Sequence, residues 1–362
     1  MTNAISRRQF ICCSAAALCA QLPVCTLWPH EGYAGEGVDI RGHVFRGDAP
    51  EQPWKWSKEA YHYRKVADDQ TVCGLCPHTC ILAPGDRSIC RSRVNIDGTL
   101  YTLVYGNPCA VHVDPVEKKP LYHFLPGTRS FSIATTGCNL RCLNCQNWEI
   151  SQRKPQEVRY AELFPEAVAR EAIKTGCASV AYTYSEPITF YEYTLDSARA
   201  VKRIGAKNVL ISAGYINPKP LEALCRVIDG ANVNLKSFSD RLYRQLNGAR
   251  LDPVLYTFKT LHARGVHFEM TNLVVPGYVD DPDMVKRMCG WILENLGPDH
   301  PLHFSRFFPK YKIDRLAPTP VATLEAFRAI ALQAGIRYVY LGNVPGHAGN
   351  NTRCHQCGKT IV

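Results

Sequence analysis

From about residue 129 onward, short apolar runs alternate with longer segments in which apolar residues recur at helical spacing. The predicted strands are 130–134, 179–183, 208–212, 232–235, 267–275, 302–307 and 338–340. The predicted helices between them are 166–175, 194–204, 220–228, 253–264, 284–295 and 321–334. Repeated strand–helix units with right-handed crossovers build a parallel sheet. The pattern therefore predicts an α/β fold of about six to seven units, closed or partly closed into a barrel, fewer than the eight of a complete barrel.

The remaining segments differ in composition from this repeating part. Residues 1–30 contain Ser6-Arg7-Arg8-Gln9-Phe10 followed by a mostly apolar stretch, which is the arrangement of a twin-arginine leader. Residues 31–53 are predicted to be a linker, 54–128 a cysteine-rich module with short strands, 129–345 the barrel and 346–362 a short C-terminal tail. The leader predicts export or anchoring at a membrane, and a cytoplasmic protein is the alternative.

Cysteine is the residue type that changes this picture most. The chain of 362 residues has 17 cysteines, and many of them are grouped at short spacings. A chain of this length does not need a disulfide framework, so the grouping favours metal ligation. The net charge of +10 is spread along the chain. Such a charge suits an acidic protein partner or an anionic substrate, and no aromatic–basic pattern predicts nucleic-acid binding.

Cys138, Cys142 and Cys145 have the spacing C-x-x-x-C-x-x-C and follow the first predicted strand of the repeating part. Three thiolates on one loop can hold three irons of a cubane, and the fourth iron is then open to a substrate or cofactor. Gly137 permits a tight turn from the strand into the loop. A zinc loop is the alternative, but zinc usually shows paired C-x-x-C units.

This loop, with Gln146-Asn147-Trp148 after it, resembles the cluster loop of the radical S-adenosylmethionine (SAM) superfamily. The stretch from Asp114 to Gly127 is similar to one subgroup, the AmmeMemoRadiSam system radical SAM enzymes, which are relatives of the pyruvate formate-lyase activating enzymes. The resemblance covers most of the chain beyond the leader and linker. It implies an incomplete (β/α)6 barrel and a [4Fe–4S] cluster whose open iron binds SAM through its amino and carboxylate groups. It also implies reductive cleavage of SAM to methionine and a 5′-deoxyadenosyl radical, which abstracts a substrate hydrogen atom.

Further candidate residues lie near the predicted ends of the strands, where barrels bind their ligands. They are Glu186, Ser212, Gly214, Asn234, Lys236 and Glu269. The resemblance places Glu186 at the SAM methionyl amine, and a helix-capping acid is the alternative. Lys236 is a candidate for the SAM carboxylate or the substrate, and Glu269 for the ribose or the substrate; a solvated side chain is the alternative for both. Relatives commonly have Asp where this chain has Asn234, which keeps an acceptor but lacks the acid that a proton-transfer role at this position would need.

Cys73, Cys76, Cys80 and Cys90 form a second group with the spacing C-x2-C-x3-C-x9-C. Four thiolates close a zinc site or a second iron–sulfur cluster, and a structural metal is the favoured interpretation. Cys354 and Cys357 form a C-x-x-C half-site that needs two ligands from elsewhere. One arrangement combines this pair with two cysteines of the N-terminal group and would tie the two ends of the chain together.

Three functions are compatible with these features. The first is a radical SAM enzyme that acts on an unidentified small molecule or protein and takes electrons from a donor such as flavodoxin or ferredoxin. Within this class, a glycyl-radical-enzyme activase is the alternative. However, the C-x-x-C-x-x-C-x-x-x-C-P insert common in such activases is absent from this sequence. A non-catalytic iron–sulfur electron carrier is the alternative of another class, and the missing fourth cysteine in the loop argues against it.

Overall fold

The computed structural model describes residues 44–361. Two small antiparallel sheets form the N-terminal module. One contains β1 (Lys58–Glu59), β5 (Arg93–Ile96) and β6 (Thr99–Thr102) in the order β1-β6-β5. The other contains β2 (Tyr63–Lys65), β3 (Thr71–Cys73) and β4 (Ile81–Leu82) in the order β2-β3-β4. The predicted leader and most of the predicted linker lie outside the described residues.

A single eight-stranded sheet forms the centre of the molecule, and its strands lie in sequence order. They are β7 (Ala110–Pro115), β8 (Arg129–Ala134), β9 (Ser179–Tyr182), β10 (Lys207–Ser212), β11 (Gly230–Asn234), β12 (His267–Val274), β13 (Leu302–Arg306) and β14 (Val339–Gly342). The strands β8 to β14 are parallel, and β7 pairs antiparallel with β8. All carboxyl ends of the parallel strands therefore meet at one edge, where barrels carry their active sites.

Six helices connect the parallel strands and cover one face of the sheet. They are α1 (Pro165–Lys174), α2 (Tyr191–Arg203), α3 (Pro218–Cys225), α4 (Leu251–Ala263), α5 (Pro282–Asn295) and α6 (Val321–Ala334). Short helical turns lie at Trp148–Ser151, at Asp240–Leu242 and at the π-helical Tyr243–Asn247. The start of α5 shows how local sequence sets a boundary: the Asp281 carboxylate accepts a hydrogen bond from Asp283 N (2.9 Å), and a proline occupies the first helical position.

Alternation along the strands separates an apolar face from a polar one. The ring of Phe304 on β13 packs against Phe327 of α6, with 5.7 Å between ring centroids. The neighbouring His303 points to the opposite face and meets the ring of Tyr122 (4.8 Å). We call the face opposite to the helices the inner face. It carries many of the polar side chains of β7, β8, β11 and β12, which explains why these strands are not uniformly apolar.

Residues 116–124 follow β7 and precede β8 in the chain, and they cross the inner face of the sheet. Leu121 packs against Ala181 of β9, and the carbonyl oxygen of Pro120 accepts a hydrogen bond from Asn232 Nδ2 of β11 (2.7 Å). Most of the sequence stretch that carries the subgroup resemblance therefore fills the inner face of the sheet.

The α/β fold with a central parallel sheet is confirmed, and the helix and strand bounds differ from the predicted ones by three residues or fewer. One boundary differs more. Because β7 belongs to the central sheet, that sheet begins before residue 129, where the sequence suggested that the barrel starts. The apolar character of β8 was visible in the sequence, whereas the mixed pattern of β7 gave no clear strand signal. Within residues 44–361, no helix is both long enough and apolar enough to cross a membrane.

Candidate active site

The loop with Cys138, Cys142 and Cys145 follows β8 directly and is held on one side by the π-helical turn. Backbone hydrogen bonds of 2.8 and 2.9 Å join the loop to residues 246–247 of that turn. Asn247 Nδ2 donates to Sγ of Cys142 (3.1 Å), and Leu140 N donates to Sγ of Cys138 (3.3 Å). Donors aimed at sulfur stabilise a thiolate and orient it, as the surrounding residues of metal-bound cysteines do.

The N-terminal module holds the other side of the loop. Ser92 Oγ donates to the carbonyl oxygen of Thr136 (3.0 Å). Gly137 has a φ of +96°, and a Cβ atom at this position would lie 2.4 Å from the carbonyl oxygen of Cys90 and 2.2 Å from Ser92 Oγ. Only glycine fits both the backbone angle and the space, so Gly137 lets the loop pass directly against the second cysteine group.

The electrostatics of the loop fit a cluster of irons. Burial, followed by the nearby Glu186 carboxylate, raises the pKa of the Cys138 thiol. Burial and the neighbouring Cys142 raise the pKa of Cys145 to about 11. A metal cation bound by the three sulfurs would stabilise their thiolate forms and would offset both the burial and the charge of Glu186. In residues 44–361 no three Cys, His, Asp or Glu side chains converge closely enough to hold a single metal ion.

Glu186 is the residue next to the loop whose environment is most specific. It follows β9, is 2% exposed, and accepts hydrogen bonds from Ser212 Oγ (2.6 Å), Ala213 N (2.8 Å) and Ile188 N (3.2 Å). Burial raises its pKa, and the bonds from Ser212 and the two backbone amides counteract that effect. The carboxylate is thus fixed by three donors in the neighbourhood of Cys138.

Three more predicted residues surround Glu186. Gly214 N donates to Ser212 Oγ (2.9 Å), which orients this hydroxyl toward the carboxylate. Asn234 Nδ2 lies 3.4 Å from the carbonyl oxygen of Ser212. Lys236 is half-buried, and its charge lowers the pKa of both Glu186 and Cys145. The structure therefore gathers the ends of β9, β10 and β11 around the cysteine loop.

Glu269, the remaining predicted cofactor-binding residue, makes its contacts with residues outside this group. Its Oε2 accepts a hydrogen bond from His303 Nε2 (2.7 Å) and its Oε1 one from His123 N (2.7 Å). Burial alone would raise its pKa, but the bonds from His267 and His303 outweigh burial and lower the pKa to about 2. The alternation of residues in the sequence indicates that Glu269 points to the inner face. It does not indicate that the segment 116–124 lies on that face and donates a hydrogen bond to the carboxylate.

The second cysteine group and the tail cysteines are not brought together. Cys73, Cys76, Cys80 and Cys90 are all buried and line one cavity, and neither tail cysteine is among its described lining residues. Cys354 and Cys357 lie in a turn closed by the hydrogen bond from Gly358 N to Cys354 O (2.8 Å). His355 of this turn contacts Tyr338 OH at 3.1 Å. The described residues thus offer no mixed site that ties the chain ends together.

Sequence reasoning missed an ionic group on the inner face. The Tyr184 hydroxyl donates to the Asp114 carboxylate, and Lys119, which is 2% exposed, pairs with the same carboxylate (2.5 Å). Tyr184 has a φ of +62°, and its carbonyl oxygen accepts a hydrogen bond from Asn147 Nδ2 (2.7 Å). The sequence signal for this ionic group was a tyrosine two residues before Glu186, together with a lysine and an aspartate in the 114–127 stretch.

Comparisons with known proteins agree with this geometry. The model of the Radical SAM superfamily matches residues 132–289, which include the cysteine loop and Glu186. The uncharacterized protein MJ0808 of Methanocaldococcus jannaschii is 44% identical over 305 residues, which cover 84% of this chain and 91% of that protein. The pyruvate formate-lyase 1-activating enzyme of Escherichia coli K12 is 28% identical over 232 residues, 59% of this chain and 93% of that enzyme. The SAM-bound structure of SuiB from Streptococcus suis is a more distant match, with 16% identity and a TM-score of 0.47 over 60% of this chain and 52% of that chain. The chain belongs to the radical SAM superfamily.

Proposed function

We propose that this enzyme binds SAM between the cysteine loop and Glu186 and directs the resulting radical at a substrate on the inner face of the sheet. The observation that carries the proposal is the buried Glu186 carboxylate, which is fixed by three hydrogen bonds beside Cys138. A [4Fe–4S] cluster held by Cys138, Cys142 and Cys145 supplies the electron that cleaves SAM into methionine and the 5′-deoxyadenosyl radical. The family membership favours this enzyme over the alternative of a non-catalytic electron carrier.

The protein side chains bind and orient SAM in this proposal. The Glu186 carboxylate accepts hydrogen bonds from the SAM ammonium group, and the half-buried Lys236, whose charge acts on Glu186 and Cys145, pairs with the SAM carboxylate. Ser212 and Ile188 bind Oε1 of Glu186 and Ala213 binds Oε2, so the carboxylate is held in one orientation and one acceptor site on Oε2 is left for the ligand. Substituting Glu186 would thus weaken SAM binding without removing the cluster ligands.

The subgroup and the substrate form the finer part of the proposal. The resemblance of the 114–127 stretch supports membership of the AmmeMemoRadiSam system enzymes, and we propose a substrate with polar or anionic groups that enters from the carboxyl ends of the strands. The observation in favour is that residues 116–124 already occupy part of the inner face. The second candidate is a glycyl-radical-enzyme activase, which the 28% identity over 93% of the E. coli activating enzyme supports. A glycyl-radical signal in the electron paramagnetic resonance (EPR) spectrum of an added partner protein would favour this second candidate.

We propose an acidic electron donor such as flavodoxin or ferredoxin. At the end of the cysteine loop, Trp148 stacks on Tyr311 with 5.2 Å between ring centroids. The exposed Arg153 lies over Trp148, and the exposed Lys312 lies over Tyr311. This basic and aromatic surface beside the cluster loop suits an acidic partner, and the rate of reduction by flavodoxin should therefore fall with ionic strength.

We propose that residues 6–27 export the folded protein or anchor it at the membrane, with a cytoplasmic location as the alternative. Twin-arginine export carries folded proteins, which suits a chain that must receive its metal first. Replacing Arg7 and Arg8 by lysine should keep the protein in the cytoplasmic fraction of its host. An unchanged distribution would favour the cytoplasmic alternative.

The test of the main proposal is SAM cleavage. The anaerobically reconstituted and dithionite-reduced protein should form 5′-deoxyadenosine from SAM, and the variant with Cys138, Cys142 and Cys145 all replaced by alanine should not. Glu186→Gln should keep the iron of the wild type and bind SAM at least tenfold more weakly, because a charge-assisted hydrogen bond contributes about 1.5–3 kcal/mol. A cluster that forms but neither binds nor cleaves SAM would overturn the proposal.

A further inference from the structure

The N-terminal module contains a cavity whose walls carry four thiols. Its lining includes the second cysteine group, which we define as Cys73, Cys76, Cys80 and Cys90. All four cysteines are buried, with exposures between 3% and 8%. Asn139 of the three-cysteine loop also lines the cavity. The second cysteine group therefore faces an enclosed space that borders the SAM-binding loop.

The local fold directs these cysteines to one place. Cys73 ends β3, and its backbone N donates to the carbonyl oxygen of Cys80 (2.9 Å) just before β4. The turn between them is closed by the hydrogen bond from Thr79 N to Cys76 O (3.1 Å). Cys90 approaches from the next loop, and its Sγ lies 3.0 Å from Ser88 Oγ. Two adjacent strands and two turns thus hold the second cysteine group around the cavity.

Arg93 supplies a second, independent observation. This side chain lines the same cavity and is 1% exposed, and its Nη2 pairs with the buried Glu192 carboxylate (2.6 Å). Its Nε and Nη1 are buried and have no hydrogen-bond partner among the described residues. A buried guanidinium with two unbonded nitrogens, which carry three N–H groups, is costly unless an acceptor of negative charge faces it. Several metal-bound thiolates and inorganic sulfides would be such an acceptor.

The donor set of the second cysteine group suits two metals. Four thiolates can surround one zinc ion as a tetrahedron of sulfurs, or they can be distributed over the irons of an iron–sulfur cluster. The sequence favoured a structural zinc ion. The unbonded N–H groups of Arg93 in the cavity wall favour the cluster, because its inorganic sulfides add acceptors of negative charge that a zinc ion lacks.

We propose that Cys73, Cys76, Cys80 and Cys90 hold a second iron–sulfur cluster, which the N–H groups of Arg93 face. Four protein thiolates leave no open iron, so this cluster does not bind SAM. It lies next to the SAM cluster loop, because the carbonyl oxygen of Cys90 is in contact range of Gly137. The site goes beyond the proposed function and does not depend on it.

The test counts metals in the variant that lacks the SAM cluster ligands. After anaerobic reconstitution with iron and sulfide, the Cys138, Cys142 and Cys145 triple alanine variant should keep about two or four irons with an equal amount of sulfide. Its EPR signal after reduction should not change when SAM is added. The wild type should contain about four irons more than this variant.

Two further variants make the assignment specific. Cys73→Ala with Cys76→Ala in the wild-type background should lose the SAM-insensitive signal and retain the SAM-sensitive one. Cys177→Ala removes a lone buried cysteine outside both groups and should keep the full iron content. The proposal is overturned if the triple variant contains zinc in place of iron, or no metal at all. Because the triple variant leaves the second cysteine group intact, this result stands even if the double variant does not fold.

Discussion

Gly137→Ala is the substitution that tests most directly how the SAM cluster loop is positioned. The new methyl group would lie 2.4 Å from the carbonyl oxygen of Cys90 and 2.2 Å from Ser92 Oγ. The serine side chain can rotate away, but the carbonyl oxygen belongs to the backbone of the N-terminal module. Either the loop or the module must therefore shift. Gly127→Ala is the matched control, because Gly127 also has a positive φ (+77°) but no atom within 4 Å of an added Cβ.

The expected decrease in the free energy of unfolding has two contributions. The left-handed backbone conformation costs a residue with a Cβ atom about 1–2 kcal/mol, and this part is common to both variants. Forcing an extra methyl group into a packed place costs about 1–3 kcal/mol more, and this part applies to Gly137 alone. The free energy of unfolding should therefore fall by about 2–5 kcal/mol in Gly137→Ala and by about 1–2 kcal/mol in Gly127→Ala.

The assays are urea unfolding of the reconstituted proteins, their iron content and the yield of 5′-deoxyadenosine from SAM. Gly137→Ala should lose SAM cleavage in step with the iron of the SAM cluster, because a displaced loop no longer directs its three thiolates to one cluster. Gly127→Ala should keep both. If the two variants have equal stability and equal iron content, the close approach to Cys90 does not position the loop, and our reasoning is refuted.

Three other substitutions test separate parts of the structure. Glu192→Gln leaves the buried Arg93 without its charged partner and should lower the free energy of unfolding by about 3–5 kcal/mol in urea titrations. An unchanged free energy of unfolding would show that another anion compensates the charge of Arg93. Ser212→Ala removes one of three hydrogen bonds to Glu186. The dissociation constant of SAM measured by calorimetry should rise about tenfold, since a hydrogen bond to a charged group contributes about 1.5–3 kcal/mol. An unchanged affinity for SAM would exclude this role for the hydroxyl. Glu269 has a lowered pKa of about 2 in the folded state, so its stabilising effect is complete above the pKa of an unfolded glutamate and is lost as the pH falls toward 2. The stability difference between the wild type and Glu269→Gln should therefore shrink between about pH 4.5 and pH 2, and a difference that grows in this range would contradict the assignment.

Local patterns predicted most of the fold because the strand pattern, the turn residues and the motif spacing agree with one another within a strand–helix unit. The strand before Cys138 alternates serine with apolar residues, the glycine permits the turn, and the cysteine spacing marks the loop. These signals are close in sequence, so the position of the loop after β8 follows from them. The same holds for Glu186, since a carboxylate after a buried strand lies at the edge where barrels bind ligands.

Contacts between distant segments could not be predicted in this way. Glu269 has the right position on its strand for a ligand-facing residue, but its oxygens are already used by His303 and the backbone of His123. The pairing of Arg93 with Glu192 joins a strand of the module to a helix that begins about a hundred residues later. The strand has one charged residue, Arg93, whereas the helix Tyr191–Arg203 has several, so the sequence does not identify which of them is the partner.

The cysteine-rich module is better understood as one wall of the active site than as an appendage. The three-cysteine loop is held by the turn at 246–247 on one side and by residues 90–92 on the other. The first support comes from the region between β11 and α4 and the second from the module, so neither alone fixes the loop. Because Asn139 lies in the wall of the four-cysteine cavity, a change in the contents of that cavity would reach the SAM cluster loop through direct contact. Loss of the second cluster should for this reason lower the yield of SAM cleavage, even though all three SAM cluster ligands and the SAM-sensitive EPR signal remain.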